Sequence, residues 1–240
     1  LPNEYLKPCI VMIEELINHY RTSVVLCTAT QPALKSFFQS KISATELCPR
    51  MHEQFEFFKR TLFEDIGIVA EKFLISKLRE EYQALCIVNT KKRAQSIYKE
   101  LKGDGVYHLS TSMYPAHRKY VLEEIRKRLQ KNEKCILIST SLVEAGVDLD
   151  FQSVYRELAG VDSMIQAAGR CNREGWRKVE NSKVFIFRFE EKENVLGQRQ
   201  QIDVAKSLLA DGRELSDMET IIKYFEMLYH IKGDSLDKKK

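Results

Sequence analysis

Short apolar runs alternate with helix-spaced apolar positions over most of this chain. Val24-Val-Leu-Cys27, Ala84-Leu-Cys-Ile-Val88, Val106-Tyr-His-Leu109 and the stretches 134–140, 153–157 and 183–189 read as strands. Among them the apolar run Cys135-Ile-Leu-Ile138 reads as a buried strand. Between them the period changes. From about Glu4 to Tyr20, Leu6, Ile10, Ile13 and Ile17 recur at helical spacing, with Pro8 marking a late start. Further helices are expected near Ile68–Glu81, from about Arg93 to Leu101, and after Pro115, where Val121, Leu122, Ile125 and Leu129 share one face. The basic residues Arg126, Lys127 and Arg128 fall largely on the solvated side of that last helix. A helix carrying Gln166 and two more near 195–210 and 216–231 complete the pattern. Residues 31–66 resist this reading because Pro32 and Pro49 break the period, and Phe55, Phe57 and Phe58 are expected in the core. The alternation predicts an α/β fold: a mainly parallel sheet with helices on both faces, plus a C-terminal helical appendage.

Composition narrows the class. The chain has 240 residues, is 44% hydrophobic and 30% charged, and carries a net charge of +4. That is a globular balance with ample material for a core. The mild basic excess permits nucleic-acid binding without requiring it, because both signs are interleaved. The longest apolar runs, such as Cys9-Ile-Val-Met-Ile13, are far shorter than a membrane span. No signal peptide is visible, and the first residue is not methionine, so a fragment or processed product is expected. Six cysteines include no Cys-x-x-Cys pair and the five histidines are scattered, so a zinc site is not expected. Cys27, Cys86 and Cys135 sit in apolar runs, as small buried hydrophobes in a reduced, cytoplasmic protein would.

The chemistry concentrates between 139 and 173. Ser139-Thr-Ser-Leu-Val-Glu-Ala-Gly146-Val-Asp148 follows an apolar strand, and Gln166-Ala-Ala-Gly169-Arg170-Cys-Asn-Arg173 lies downstream. Two arginines three residues apart are expected on one side of a helix. At the edge of a parallel sheet, such a pair suits stabilisation of charge on a phosphoryl group in transfer. Surface salt bridges would explain Arg170 or Arg173 singly, but not the glutamine, glycine and both arginines together.

The pattern Ser-Thr-x-x-x-Glu-x-Gly-x-Asp followed by Gln-x-x-Gly-Arg-x-x-Arg resembles motifs V and VI of superfamily 2 helicases. The longer strings Val143–Phe151 and Gly169–Gly175 resemble the signature helicase–nuclease of type I CRISPR–Cas systems, which the Cascade surveillance complex recruits to degrade invader DNA. The resemblance implies RecA-like architecture, with Arg170 and Arg173 as arginine fingers and Gln166, Gly146 and Asp148 facing the nucleotide. It implies single-stranded DNA contacts from Asn89, Thr90, Arg93, Ser110, Ser139 and Thr140. Thr28 and Thr30, in a Thr-Ala-Thr string like motif III, would couple nucleotide state to domain movement. Read from their types alone, the Ser, Thr and Asn residues at strand ends also suit helix N-caps. Ser141 and Ala167 depart from the family, which often has glutamine and arginine there.

No Gly-x-x-x-x-Gly-Lys-[Ser/Thr] loop occurs, nor an Asp-Glu-x-[His/Asp] box or a His-Asp dipeptide. The expected division is therefore 1–50 as the end of a first RecA-like domain, 51–192 as the second, and 193–240 as a helical appendage opening a linker to a missing C-terminal domain. ATP and magnesium would be held mainly by the missing first RecA-like domain, and the nuclease metals would lie outside the chain. The implied partners are single-stranded DNA, Cascade with its CRISPR RNA, and the missing motor and nuclease domains. Alternatives are a superfamily 2 RNA helicase domain and a non-catalytic nucleic-acid-binding module.

Overall fold

The computed structural model describes residues 5–28, 34, 37–38, 42, 45–144, 146–191 and 197–233. In chain order the elements are α1 (Leu6–Tyr20), α2 (Met51–Phe57), β1 (Leu62–Val69), α3 (Glu71–Glu80), β2 (Gln83–Ile87), α4 (Lys91–Leu101), β3 (Val106–Leu109), α5 (Pro115–Gln130), β4 (Cys135–Ser139), β5 (Ser153–Glu157), α6 (Val161–Ala168), β6 (Lys183–Phe189), α7 (Arg199–Ala210) and α8 (Met218–Lys232). All strand pairs in the six-stranded sheet are parallel, in the order β1-β6-β5-β2-β4-β3.

Handedness decides which face each helix covers. Parallel crossovers are right-handed, so connections running toward one edge lay their helices on one face and returning connections use the other. The steps β1→β2 and β2→β3 place α3 and α4 on the first face. There Leu74, Leu78, Ala94 and Ile97 pack against Ala84, Cys86, Ile136 and Ile138. The return steps β3→β4 and β5→β6 place α5 and α6 on the second, where Val121, Ile125, Val161 and Met164 join Leu85, Ile87, Leu137 and Val184. The period-two split of β2 and β4 between the two cores follows from the pleat. Leu6 and Ile10 of α1 and Val204, Leu208, Tyr224 and Leu228 of α7 and α8 enlarge the second core. Tyr224 also donates to Asp162 Oδ1 at 2.9 Å, fastening α8 to the start of α6.

Three local expectations are corrected. Val24–Cys27 is not a strand: it lies exposed, with Val25 at 69% and Cys27 equally outside the core. An extended apolar run needs a neighbouring ladder, and no strand of the sheet pairs with it. Conversely, β1 lies within the unread stretch and takes Ile68 from the expected helix, which starts at Glu71. Pairing with β6 overrides local periodicity there, with a register shift between Asp65 and Ile68. The aromatic cluster splits: Phe55 packs on the core, while Phe57 and Phe58 are exposed and meet edge to face at 5.2 Å. A two-turn helix cannot turn all three rings inward.

Elsewhere the pattern holds. Val121 and Ile125 are buried, with Leu122 and Leu129 packed beside them. Lys127 and Arg128 pair with Glu124 and Asp104 at the surface. Pro8 sits in the first turn of α1, where its missing N–H would have had no intrahelical partner. No helix among the described residues is long and apolar enough to cross a membrane.

Gly105 sets the entry to β3. Its φ is +74°, and a Cβ there would stand 2.4 Å from the Lys134 carbonyl oxygen, while its own carbonyl accepts from Ile136 at 2.8 Å. Gly105→Ala should therefore cost about 2 kcal/mol, as strained backbone positions do. Urea denaturation reads this directly, and an unchanged midpoint would contradict it.

Candidate functional site

Connections leave β2 toward one face and leave its neighbours β4 and β5 toward the other. In open α/β sheets ligands gather at such a divergence, beyond the strand carboxyl ends. Asn89-Thr90 lies after β2, Ser139-Thr140 ends β4, and Leu158–Gly160 follows β5.

Most of the strand-end residues hold the edge itself. Thr90 N-caps α4, accepting from the Arg93 N–H at 3.2 Å. Its capping reading is thus realised. Asn89 donates through its backbone N–H to Glu157 Oε2 at 2.7 Å and through its amide to the Leu158 carbonyl at 2.9 Å. Arg93 is buried, with its guanidinium 3.9 Å from the Phe189 ring centre, a cation–π arrangement. Ser139 donates to the Leu109 carbonyl at 3.0 Å from a fully buried position. Ser110 and Thr140 are also buried. Thr28 is exposed on its irregular segment, and Thr30 lies outside the described residues.

The arginines do not share a helix face. α6 ends at Ala168, and Arg170 and Arg173 follow in a turn. The chain is pulled out of helix there by a parallel bridge between Phe151 and Cys171, with Asn172 in the left-handed region at φ +50°. Asn172 fixes the turn by donating to the Arg60 and Arg177 carbonyls at 3.0 and 2.8 Å. Tertiary pairing overrides a pattern that suits a helix.

The two side chains consequently differ. Arg170 is buried and turned inward, donating from Nε to the Val143 carbonyl at 2.9 Å and from Nη2 to the Glu144 carbonyl at 2.7 Å. Burial, then the nearby charge of Arg173, pulls its pKa down. Arg173 is exposed and pairs with the exposed Asp148. Its backbone N–H donates to Asp150 Oδ1 at 2.8 Å, and Asp150 also binds Arg177 at 3.0 Å. Gly146, at φ +71°, has open space where a Cβ would stand, and Gln166 is exposed on the last turn of α6. Gly146, Asp148, Arg170 and Arg173 thus gather at one turn through the two sets of arginine contacts.

Beneath them lies a residue that the motif reading missed. Arg156, in β5, is only 1% exposed. Its Nε stands 3.0 Å from Glu144 Oε1, its Nη1 donates to Asn89 Oδ1 at 2.8 Å and to the Glu157 carbonyl at 2.6 Å, and its Nη2 donates to Ser163 at 3.0 Å. Ser163 in turn donates to Glu144 Oε2 at 2.8 Å. Burial pushes the Glu144 carboxyl up while Arg156 opposes that shift. The signal was available: an arginine inside the strand-like stretch Ser153-Val-Tyr-Arg-Glu157 must find partners if the strand is covered. Among the described residues no cluster of three or more histidine, cysteine or acidic side chains could hold a metal ion.

Residues 80–175 match the family model described as CRISPR-associated nuclease/helicase Cas3, C-terminal. The match runs from the end of α3 to the arginine turn. It is 28% identical over 186 residues to the CRISPR-associated nuclease/helicase Cas3 of Methanothermobacter thermautotrophicus, covering 71% of this chain and 22% of that protein. A Cas3 of Haloferax volcanii is 48% identical over 71 residues, covering 29% and 8%. The crystal structure of T. fusca Cas3 with ADP superposes with a TM-score of 0.57 at 17% identity, covering 74% of this chain and 26% of that one, a likeness of fold. The chain thus spans about a fifth of the longer of these curated Cas3 matches.

The contrast between the two arginines gives a stability test. Arg170→Ala strands two buried carbonyls and should cost about 3 kcal/mol, the scale of hydrogen bonds from a charged donor. Arg173→Ala removes an exposed pair and should cost less than about 1 kcal/mol. Chemical denaturation of both variants checks the order, and equal losses would refute the division.

Proposed function

We propose that this chain is the C-terminal motor half of an ATP-dependent DNA helicase, acting with a nuclease domain to unwind and degrade invader DNA in type I CRISPR interference. The arrangement that supports it best is the turn where exposed Arg173 meets Asp148 while buried Arg170 holds the preceding backbone. In this reading Arg173 swings from Asp148 to the γ-phosphate of ATP in the cleft between two RecA-like domains. An arginine finger contributes by placing charge where it develops on the transferring phosphoryl group. Arg170 keeps the role of a finger in the proposal, and its inward hydrogen bonds make release from the two carbonyls a condition of that role. Gln166, Gly146 and Asp148 form the nucleotide-facing rim.

Single-stranded DNA runs along the strand carboxyl ends past Asn89, Thr90, Arg93, Ser110, Ser139 and Thr140. Because Asn89, Thr90, Arg93 and Ser139 have structural partners in their side chains, their contribution is to shape a backbone surface for phosphates. Such contacts position a strand without reading its sequence. The division at residues 50 and 192, the coupling role of Thr28 and Thr30, cytoplasmic location and recruitment by Cascade with its CRISPR RNA belong to the same proposal. ATP and magnesium are held chiefly by the other RecA-like domain, and the nuclease metals by a separate domain. The sequence supports that placement, since it contains no phosphate-loop pattern.

Two measurements test the reading. The 240-residue chain alone should hydrolyse ATP no faster than a buffer blank with single-stranded DNA present, and robust turnover lost on Arg173→Ala would refute the division of labour. In the parent chain, Arg173→Ala should lower DNA-stimulated ATPase by about 10³-fold or more. Metal-dependent cutting of single-stranded DNA without ATP and the melting temperature should stay near wild type. Surviving ATPase in that folded variant would sink the finger assignment.

A further inference from the structure

The buried arginine of β5 joins regions that the functional reading treats separately. Asn89, through its side-chain oxygen, is one acceptor of Arg156, and Asn89 opens the turn assigned to DNA. The Glu144 carboxylate is its ionic partner, and Glu144 opens the turn leading to Gly146 and Asp148. Ser163, in the first turn of α6, binds both Arg156 and Glu144, and α6 carries Gln166 and leads into the arginine turn. Arg170 holds Glu144 from the other side, at its backbone carbonyl. One continuous set of contacts therefore runs Asn89–Arg156–Glu144–Arg170.

We infer that Arg156 is a positioning residue that couples occupancy of the DNA-facing turn at Asn89 to the geometry of the nucleotide-facing turn at Glu144–Asp148. This inference rests on the motor reading and assigns a role to a side chain outside its motifs. A guanidinium suits the task because its donors are fixed in one plane, so a shift of one partner reorients the contacts to the others. Stability alone is a poor reason for the group, since well-packed apolar residues often replace a buried ion pair at no loss. A lysine in its place would keep the charge beside Glu144 but supply no rigid fork.

The test uses the full-length parent enzyme with Arg156→Lys and the roughly isosteric Arg156→Met. Melting temperature, DNA-free ATPase, affinity for a fluorescein-labelled oligo-dT strand, and stimulation of ATPase by that strand are measured together. Arg156→Lys is expected to lower the melting temperature, because buried acceptors lose their fixed donors, yet to keep DNA-free turnover and strand affinity within about twofold, the scale of a few tenths of a kcal/mol in coupling. Its stimulation by DNA should fall about tenfold or more, the size of a typical inter-site coupling. Arg156→Met, if folded, should behave likewise, and in combination with Glu144→Gln should lose no more stimulation than either change alone. Full stimulation in folded Arg156→Lys overturns the coupling role and leaves the motor reading standing. Uniform loss of stability, affinity and basal turnover also overturns it, in favour of a purely structural arginine. A wild-type enzyme with no DNA-stimulated ATPase overturns the motor reading, and the coupling with it.

Discussion

Burying the Arg156 guanidinium takes a full positive charge and all its N–H donors out of water, a cost of several kcal/mol unless acceptors replace the solvent. The edge of the sheet is organised around meeting that demand. The Glu144 carboxylate, the Asn89 amide oxygen and the Ser163 hydroxyl converge on it from three other segments, and the Glu157 carbonyl joins them from the next residue of β5. Sheet topology makes the convergence possible, because β2 and β5 are neighbours although α4, β3, α5 and β4 lie between them in sequence. Once Glu144 is drawn inward, its backbone carbonyl faces Arg170, and the arginine turn is anchored in its place.

This order of dependence separates two jobs that the sequence presents as one motif. Arg170 and Arg173 look equivalent in Gly-Arg-x-x-Arg, yet only Arg173 stands where charge is accessible. A buried arginine bound to two carbonyls fixes a backbone, whereas an exposed one paired to a single aspartate can exchange that partner for a phosphate. Their electrostatics agree. The positive charge of Arg173 helps lower the pKa of Arg170, so the two cations oppose one another across the turn. That mutual repulsion favours an anion between or beside them.

The parallel sheet was legible because fully covered strands leave long apolar runs. Cys135-Ile-Leu-Ile138 could be read as a strand from composition alone, and the paired cores confirm the burial of β4. The edge strand β1 was not, because its half-buried pattern with Gly67 and Ile68 mimics the approach to a helix. The aromatic trio misled for a related reason: side-chain type records apolar character, not which side of a short helix each ring takes. At the site, residue types at the strand ends were informative about place but not about partner. Thr90 and Ser139 are spent on a helix cap and a neighbouring carbonyl. The helical expectation for Arg170 and Arg173 failed because Phe151 pairs with Cys171, a contact between segments that no local window contains.

The same limit explains why Arg156 went unread while the conspicuous motifs did not. Motif reading follows residues whose spacing along the chain serves one ligand, and Arg156 serves other residues. Its signature is a violation, a charge next to Val154 and Tyr155 in a strand with neighbours on both sides. Natural sequences keep such violations where local consistency conflicts with function. Here the violation sits under the meeting point of the two turns assigned to DNA and nucleotide. An apolar residue could satisfy the packing of β5, but it could not tie Asn89 to Glu144. The position of the charge, more than its contribution to stability, is what makes β5 part of the candidate motor site.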